Sequence, residues 1–259
     1  MYSVRKQAEA QLALGSRQAD RGDLETGLVI LDEAMRLAIV ADDPGLRVRV
    51  GLSRGNVLFL MGRGGEAEKA WNDALSEAER AAHSELAAVS RIHIARGKLL
   101  SQEGAAGAQS VRDEVDRNMA QIRNDRYYTA FAWTIIGLAE KDMGNYAQAE
   151  AAVLRAVEIH EKDLYFELTA YDWFMIASFR SLAGNYHGAL EALENAAAFD
   201  RRVENSWGLA SDWRAMGDVH RKAGNSEASR AAYGRAAEIF QALGNSEAAA
   251  QTLSRAETP

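Results

Sequence analysis

The sequence predicts an all-α protein, a solenoid of about six helix pairs that ends in a C-terminal capping helix. One observation is composition: the 259 residues include only two prolines, and alanine, glutamate, leucine and arginine dominate, which favours helix nearly everywhere. The other is a fixed period, since Trp133, Trp173 and Trp213 lie 40 residues apart, each 11 residues before a Gly-Asn pair. A period of this length is typical of folds built from stacked helical repeats.

The turn glycines predict the position of each helix. Counting back from the Gly-Asn pairs at 144, 184 and 224, further glycines stand at 104, 62 and 22, at steps of 40, 42 and 40 residues. Glycine readily takes the left-handed conformation that ends a helix, and a polar residue after it caps the next one. Between the glycines, apolar residues recur at spacings of three and four, as in a helix. Each unit is therefore predicted to be a first helix that ends near the turn glycine and a second helix that begins just past it.

A small residue stands seven positions before each turn glycine. Where two helices cross closely, a side chain larger than a methyl group would hold the backbones apart. We therefore interpret these small residues, and the three tryptophans at their fixed spacing, as packing residues rather than as binding residues. The small residues are Gly15, Gly55, Gly97, Gly137, Ala177 and Gly217.

The repeat predicts a single solenoid domain over residues 1–259, with turns near 22, 62, 104, 144, 184 and 224. Gly244 follows Gly224 by only 20 residues, so the helix from about 226 to 242 is predicted to serve twice. It is the second helix of the sixth pair and also the partner of a capping helix at about 246–257. A solenoid needs such a cap because its last repeat would otherwise leave an apolar face in water.

These residues resemble the tetratricopeptide repeat, which combines an aromatic residue in the first helix with a turn glycine and small residues at helix crossings. The unit that begins at Trp133 matches it closely, with Gly137, Gly144 and Ala149, whereas the third unit has Arg96 in place of leucine. The resemblance covers residues from about 3 to 257 and implies a right-handed superhelix. The family's period is about 34 residues, so the period of 40 implies longer helices here.

The resemblance also implies a partner-binding site. In this family the first helices line an inner, concave wall, at positions two before the conserved aromatic residue and one, five and eight after it. The candidate residues at these positions are basic towards the N-terminus and apolar in the middle, which indicates a protein or peptide partner with an acidic end and a hydrophobic anchor. They are Arg49, Asn56, Arg91, Lys98, Phe131, Thr134, Leu138, Tyr171, Phe174, Ser178, Arg214 and Asp218.

The function that follows is a non-catalytic scaffold or adaptor that binds a peptide or protein segment in the concave groove. The alternative is a regulatory or sensor protein whose superhelix changes shape when a ligand or peptide binds. Five scattered histidines show neither metal-ligand nor nucleophile spacing, so we predict no catalytic, cofactor-binding or metal-binding residue. The sequence names neither the partner nor the oligomeric state.

Composition excludes several other classes of protein. A net charge of -7 without a dense basic stripe argues against nucleic-acid binding, which depends on cations that neutralise phosphates. The chain has no cysteine and therefore no disulfide or thiolate zinc site. No apolar run is long enough for a membrane span and no signal peptide is visible, so the expected location is cytoplasmic. A periplasmic or lipid-anchored location is the alternative, if a leader has been removed.

Overall fold

The structure is a computed structural model that describes residues 3–101 and 105–257, and this part of the chain forms thirteen α-helices. Odd-numbered helices up to α11 are the first helices of the predicted pairs, and even-numbered helices are the second. The helices are α1 (Val4–Asp20), α2 (Leu24–Val40), α3 (Pro44–Leu60), α4 (Gly64–Arg80), α5 (Ser84–Ser101), α6 (Ala105–Ile122), α7 (Arg126–Asp142), α8 (Tyr146–Lys162), α9 (Phe166–Leu182), α10 (Tyr186–Arg202), α11 (Ser206–Lys222), α12 (Ser226–Ala242) and α13 (Ser246–Glu257).

The lengths of the helices explain the period. Most helices have 17 residues and are joined by turns of three, so one helix with its turn takes 20 residues and one pair takes 40. The third pair is longer because α5 and α6 have 18 residues each. The predicted turn at Gly104 lies outside the described residues.

Glycine ends the first helix of a pair by taking a positive φ. At Gly144 φ is +81°, and the next residue, Asn145, donates its backbone N–H to the carbonyl of Glu140 over 2.8 Å. This is the hydrogen-bond pattern that satisfies the last carbonyls of a helix. Several turns after second helices have other residues at this position, including Leu164 with a φ of 62° and Glu204 with 57°, whereas the turn after α12 again has a glycine, Gly244.

The chain divides into two compact units, one up to Ile135 and one from Ile136 onward. Helix α7 contributes residues to both. In unit 1 each helix from α1 to α5 packs against the next helix along the chain. The first helices also contact one another, α1 with α3 and α3 with α5. Its core includes Leu31, Leu46 and Trp71, all fully or almost fully buried.

Unit 2 follows the same plan. Helices α8 to α13 pack consecutively, and the first helices α9 and α11 contact each other. Its core includes Phe179, Tyr233 and Phe240, which are buried. Trp173 and Trp213 are half-buried and pack against this core, which is the packing position that their spacing predicts.

Close helix crossings account for the small residues of the repeat. A Cβ atom added to Gly137 would lie 2.4 Å from Cγ2 of Val153, and one added to Gly55 would lie 2.2 Å from Nε1 of Trp71. Both distances are far shorter than a van der Waals contact. Only glycine therefore allows these first and second helices to approach each other this closely.

Candidate partner-binding surface

Unit 1 separates its charges between first and second helices. Helix α4, a second helix, has five acidic residues against two basic ones. The neighbouring first helices reverse this balance, and because they contact each other, basic charge collects on the first-helix side of unit 1. Together α3 and α5 carry one acidic residue, Glu85, and six basic residues, which are Arg47, Arg49, Arg54, Arg91, Arg96 and Lys98.

Part of this basic charge holds helices together. Nη2 of Arg47 lies 2.6 Å from Oε1 of Glu77, and Nη2 of Arg91 lies 2.6 Å from Oε1 of Glu79. Both acids are on α4. The predicted site residue Arg91 is therefore also a member of an interhelical ion pair.

Arg49 lacks such a pairing at its Nε atom. This atom is buried and has no hydrogen-bond partner in residues 3–101 or 105–257. A buried donor left without an acceptor costs about 1–3 kcal/mol, and more when the group is charged. Lys98, a further predicted site residue in this unit, is exposed. Arg49 therefore has a buried Nε–H that no hydrogen bond from the described residues satisfies.

Two other predicted site residues of unit 1 meet at His93. Phe131 stacks on the imidazole ring, with ring centroids 4.4 Å apart and planes at 26°. On another side, Nδ1 of His93 lies 3.0 Å from Oδ1 of Asn56. Burial, reinforced by the charge of Arg96, lowers the pKa of His93 to about 3, so the ring is neutral at pH 7. A neutral imidazole with its proton on Nδ1 donates to Asn56 and presents a flat face to Phe131.

Three predicted site residues take part in packing. Thr134 is buried, and its hydroxyl donates to the carbonyl of Ala130 over 3.2 Å. Leu138 and Phe174 are half-buried against the core of unit 2. The structure therefore places Thr134 within the helix packing, whereas Leu138 and Phe174 each keep part of their surface accessible.

One face of α9 in unit 2 exposes large apolar side chains. Tyr171 is 48% exposed and Leu182 is 47% exposed. Ser178 lies between them and is also exposed. These residues, with Phe174, follow spacings of three and four and so share one side of the helix. Leu182 is outside the predicted positions, and it extends this apolar stripe towards the end of α9.

The predicted site residues of α11 already have partners within unit 2. Oδ1 of Asp218 accepts a hydrogen bond from the hydroxyl of Tyr233 over 2.7 Å, and Oδ2 accepts one from Arg255 on α13 over 3.1 Å. The guanidinium of Arg214 lies over the ring of Phe240, 5.4 Å from its centroid. Burial lowers the pKa of Arg214 from its ordinary value. The capping helix thus engages a carboxylate that the sequence predicts to face a partner.

Residues 132–163, which contain the second half of α7 and all of α8, match the family model of the tetratricopeptide repeat. This stretch of the chain is a tetratricopeptide repeat. The repeat family and the all-α solenoid class predicted from the sequence are both confirmed.

Solved structures with the same fold cover most of this repeat protein. A Rap protein complexed with Competence and Sporulation Factor has a TM-score of 0.67 and 14% identity, over 97% of this chain and 74% of that one. BtubC (BKLC) from P. vanneervenii has a TM-score of 0.60 and 16% identity, over 92% of each chain. A thermophilic TPR protein of Thermus thermophilus has a TM-score of 0.54 and 16% identity, over 78% of this chain and 98% of that one. At these identities the likeness shows the fold.

A comparison of this chain with curated proteins gave no match. In the described ranges, no group of three or more histidine, aspartate or glutamate side chains is arranged to hold a metal ion. None of the helices described here is long and apolar enough to cross a membrane.

The sequence reasoning missed two polar pairs in the tetratricopeptide repeats of unit 2. Nδ1 of His160 lies 2.7 Å from Oδ2 of Asp172, and both are buried between α8 and α9. Asp200 and Asp212 form the equivalent pair between α10 and α11, one period of 40 residues further on. The signal was present in the sequence, because an aspartate directly precedes both Trp173 and Trp213.

Proposed function

We propose that this protein is a non-catalytic scaffold that binds a protein or peptide segment through the first helices of its repeats. The tetratricopeptide repeat is generally a non-catalytic interaction module, which supports this class of function. We also propose that residues 1–259 form one repeat array, since the period of 40 residues continues through α7. The observation that carries the proposal is the excess of basic residues on the contacting first helices α3 and α5, six against one acidic residue.

The chemistry of unit 1 favours a partner segment with an acidic end. A carboxylate is the complement of a guanidinium, because two parallel N–H groups can donate to its two oxygens. Arg49 carries this group on the basic first-helix side of unit 1, and Phe131, which stacks on His93, is an aromatic residue of the same unit. A segment with a carboxylate at Arg49 and an apolar side chain at Phe131 uses both.

The chemistry of unit 2 favours an apolar contact. Tyr171 and Leu182 each leave almost half of their surface in solvent on one face of α9. Burying apolar surface contributes roughly 25 cal/mol per Å². Tyrosine is also among the residues most enriched at binding hot spots. The exposed stripe of α9 therefore supplies the apolar anchor for a partner of this unit.

Capture from the source cell with single-residue variants tests the proposal. Arg49→Gln removes the charge, and Tyr171→Glu puts a charge into the apolar stripe. We expect each variant to remain folded by circular dichroism and to lose proteins that the wild-type chain captures. Lys69→Gln and Val29→Glu are the matched controls, because both positions lie on second helices and are 75% and 69% exposed. Full capture by Arg49→Gln and Tyr171→Glu contradicts the proposed surface.

A second candidate is a regulator whose repeats rearrange when a peptide binds. The Rap protein, which shares the fold, was solved in complex with Competence and Sporulation Factor, and this favours a peptide-responsive role. The measurement is the radius of gyration by small-angle X-ray scattering, before and after addition of a peptide that the capture experiment identifies. An unchanged radius with the peptide bound argues against the regulator and leaves the scaffold.

A further inference from the structure

The junction between α10 and α11 buries two carboxyl groups against each other. Asp200 is 4% exposed and Asp212 is 1% exposed. Oδ1 of Asp200 accepts a hydrogen bond from Nδ2 of Asn205 over 2.9 Å. Oδ2 of Asp212 is buried and has no hydrogen-bond donor from the described residues. The polar group that Asp212 faces is the Asp200 carboxyl.

The backbone leaves little room at this junction. A Cβ atom added to Gly208 would lie 2.1 Å from Oδ2 of Asp200. Gly208 is one helical turn before Asp212, so the first turns of α11 lie directly on the Asp200 carboxyl. Two carboxylates in such a space repel each other strongly unless one of them carries a proton.

The preceding junction of the same unit shows a complementary pair at the same places. One period earlier, His160 replaces Asp200 and Asp172 replaces Asp212. There an imidazole N–H is positioned to donate to the carboxylate over 2.7 Å. In the α10–α11 junction the described residues supply no such donor to Oδ2 of Asp212.

We propose that the α10–α11 junction is proton-sensitive: it packs tightly while Asp200 and Asp212 share one proton, and it loosens when that proton is released to solvent. In the packed state the O–H of Asp212 donates to the carboxylate of Asp200. Helix α11 also carries Arg214 and Asp218, two residues at the predicted inner-wall positions, so the junction lies on the same helix as part of the predicted surface. The inference does not depend on the proposed function.

The surroundings of the pair favour the shared proton. Burial, and then the negative charge of Asp200, raise the pKa of Asp212 to about 9. Burial likewise raises the pKa of Asp200. The charged groups that face the pair are Glu167 on α9 and Arg201 on α10. On α12, Ala236, Ala237 and Phe240 belong to the same apolar cluster as Ala210 of α11.

The sign of the pH effect follows from these directions. The folded chain holds a proton that an unfolded chain releases near the ordinary pKa of 3.8. The stabilisation is therefore complete below this value and is lost as the pH rises through the raised pKa of Asp212. Acidic solutions tighten the junction and alkaline solutions loosen it.

Hydrogen exchange of α11 in the full chain tests the inference, with Asp212→Asn as the central variant. The asparagine amide donates to Asp200 as the protonated acid does, but it does not titrate. After correction for intrinsic rates, we expect α11 of the wild type to lose at least about tenfold in protection, relative to Asp212→Asn, between about pH 5 and pH 9. Equal pH dependence in the two proteins overturns the inference.

Two further variants keep the test specific. Asp172→Asn makes the same change in the preceding junction, and it is expected to leave the pH dependence of α11 as in the wild type. If Asp172→Asn removes this dependence, the shared proton at Asp212 is not its cause. Asp200→Asn serves in place of Asp212→Asn if the latter does not fold, with the same expected result. Infrared absorption of a protonated carboxyl at neutral pH, present in the wild type and absent in Asp212→Asn, provides an independent readout.

Discussion

Nδ1 of His160 lies 2.7 Å from Oδ2 of Asp172 in the buried junction between α8 and α9. The pair joins the end of a second helix to the middle of the next first helix, so it ties one repeat to the following one. Both side chains are almost completely shielded from water. A buried polar contact of this kind holds the two helices in one register, because a displacement would break the contact between the imidazole and the carboxylate.

His160→Ala is expected to destabilise the protein strongly. The substitution removes the imidazole that lies against the buried Asp172 carboxylate, and losses of about 3–5 kcal/mol are typical when one member of a buried charged pair is removed. Urea denaturation followed by tryptophan fluorescence measures the free energy of unfolding. His187→Ala is the control, because His187 is 88% exposed and contacts only the side chain of Glu191 among the contacts described. A similar, small effect of both variants contradicts the role of the pair.

Gly137→Ala is expected to lower the free energy of unfolding by about 1–3 kcal/mol, the usual range for overpacking. The new methyl group would meet Val153 at 2.4 Å and the carbonyl of Ala149 at 3.1 Å. Gly234→Ala on α12 is the matched control, since a methyl group there meets nothing within 4 Å. Its expected effect is a gain of roughly 0.5–1 kcal/mol from the better helix propensity of alanine. Thermal unfolding of the two variants compares these opposite shifts.

His93 is expected to make the protein sensitive to acid. Because burial lowers its pKa from 6.5 to about 3, the unfolded chain binds a proton that the folded chain does not bind. Stability from this residue is therefore present above pH 6.5 and falls as the pH decreases towards 3. His93→Phe keeps a ring against Phe131 but does not titrate. Between pH 7 and pH 4 its free energy of unfolding should therefore fall by about 3 kcal/mol less than that of the wild type. Equal losses in the two proteins contradict this expectation.

Arg49→Met is expected to separate binding from stability. Methionine keeps the apolar part of the side chain and removes the buried Nε–H that has no partner in the described residues. We expect the free energy of unfolding to stay constant or to rise by about 1 kcal/mol, while capture of an acidic partner falls. Denaturation and capture of the same preparation give both values. A large loss of stability would show that Arg49 has a structural role instead.

The fold was predictable because its signals are local and repeated. Turn glycines and small residues at helix crossings act within about 20 residues of chain, and each of them recurs in other repeats. The environment of single side chains was less predictable. Thr134 and Asp218 occupy inner-wall positions by register, yet one binds the carbonyl of its own helix and the other is bound by Arg255. Such contacts depend on which residue a neighbouring helix presents, and the repeat pattern does not specify that residue.

The polar junctions of unit 2 are a different case, because the period does align them. Counting 40 residues from His160 and from Asp172 reaches Asp200 and Asp212. What the sequence lacked was the burial of these positions. A histidine at the end of one helix and an aspartate in the next are common on surfaces, and only their exclusion from water makes the pairs significant.

The regular step of 20 residues per helix and turn gives the molecule internal reference points. A side chain can be compared with the one 40 positions away, which has nearly the same backbone geometry but other neighbours. A spectroscopic label could therefore be placed at equivalent sites on α9 and α11. The difference between the two labelled proteins would report how the local motion of the two helices differs. Asp200→His would place a histidine opposite Asp212 and so reproduce the His160–Asp172 pair in the α10–α11 junction. Only the side chains of the junction would change, while its two helices stay the same.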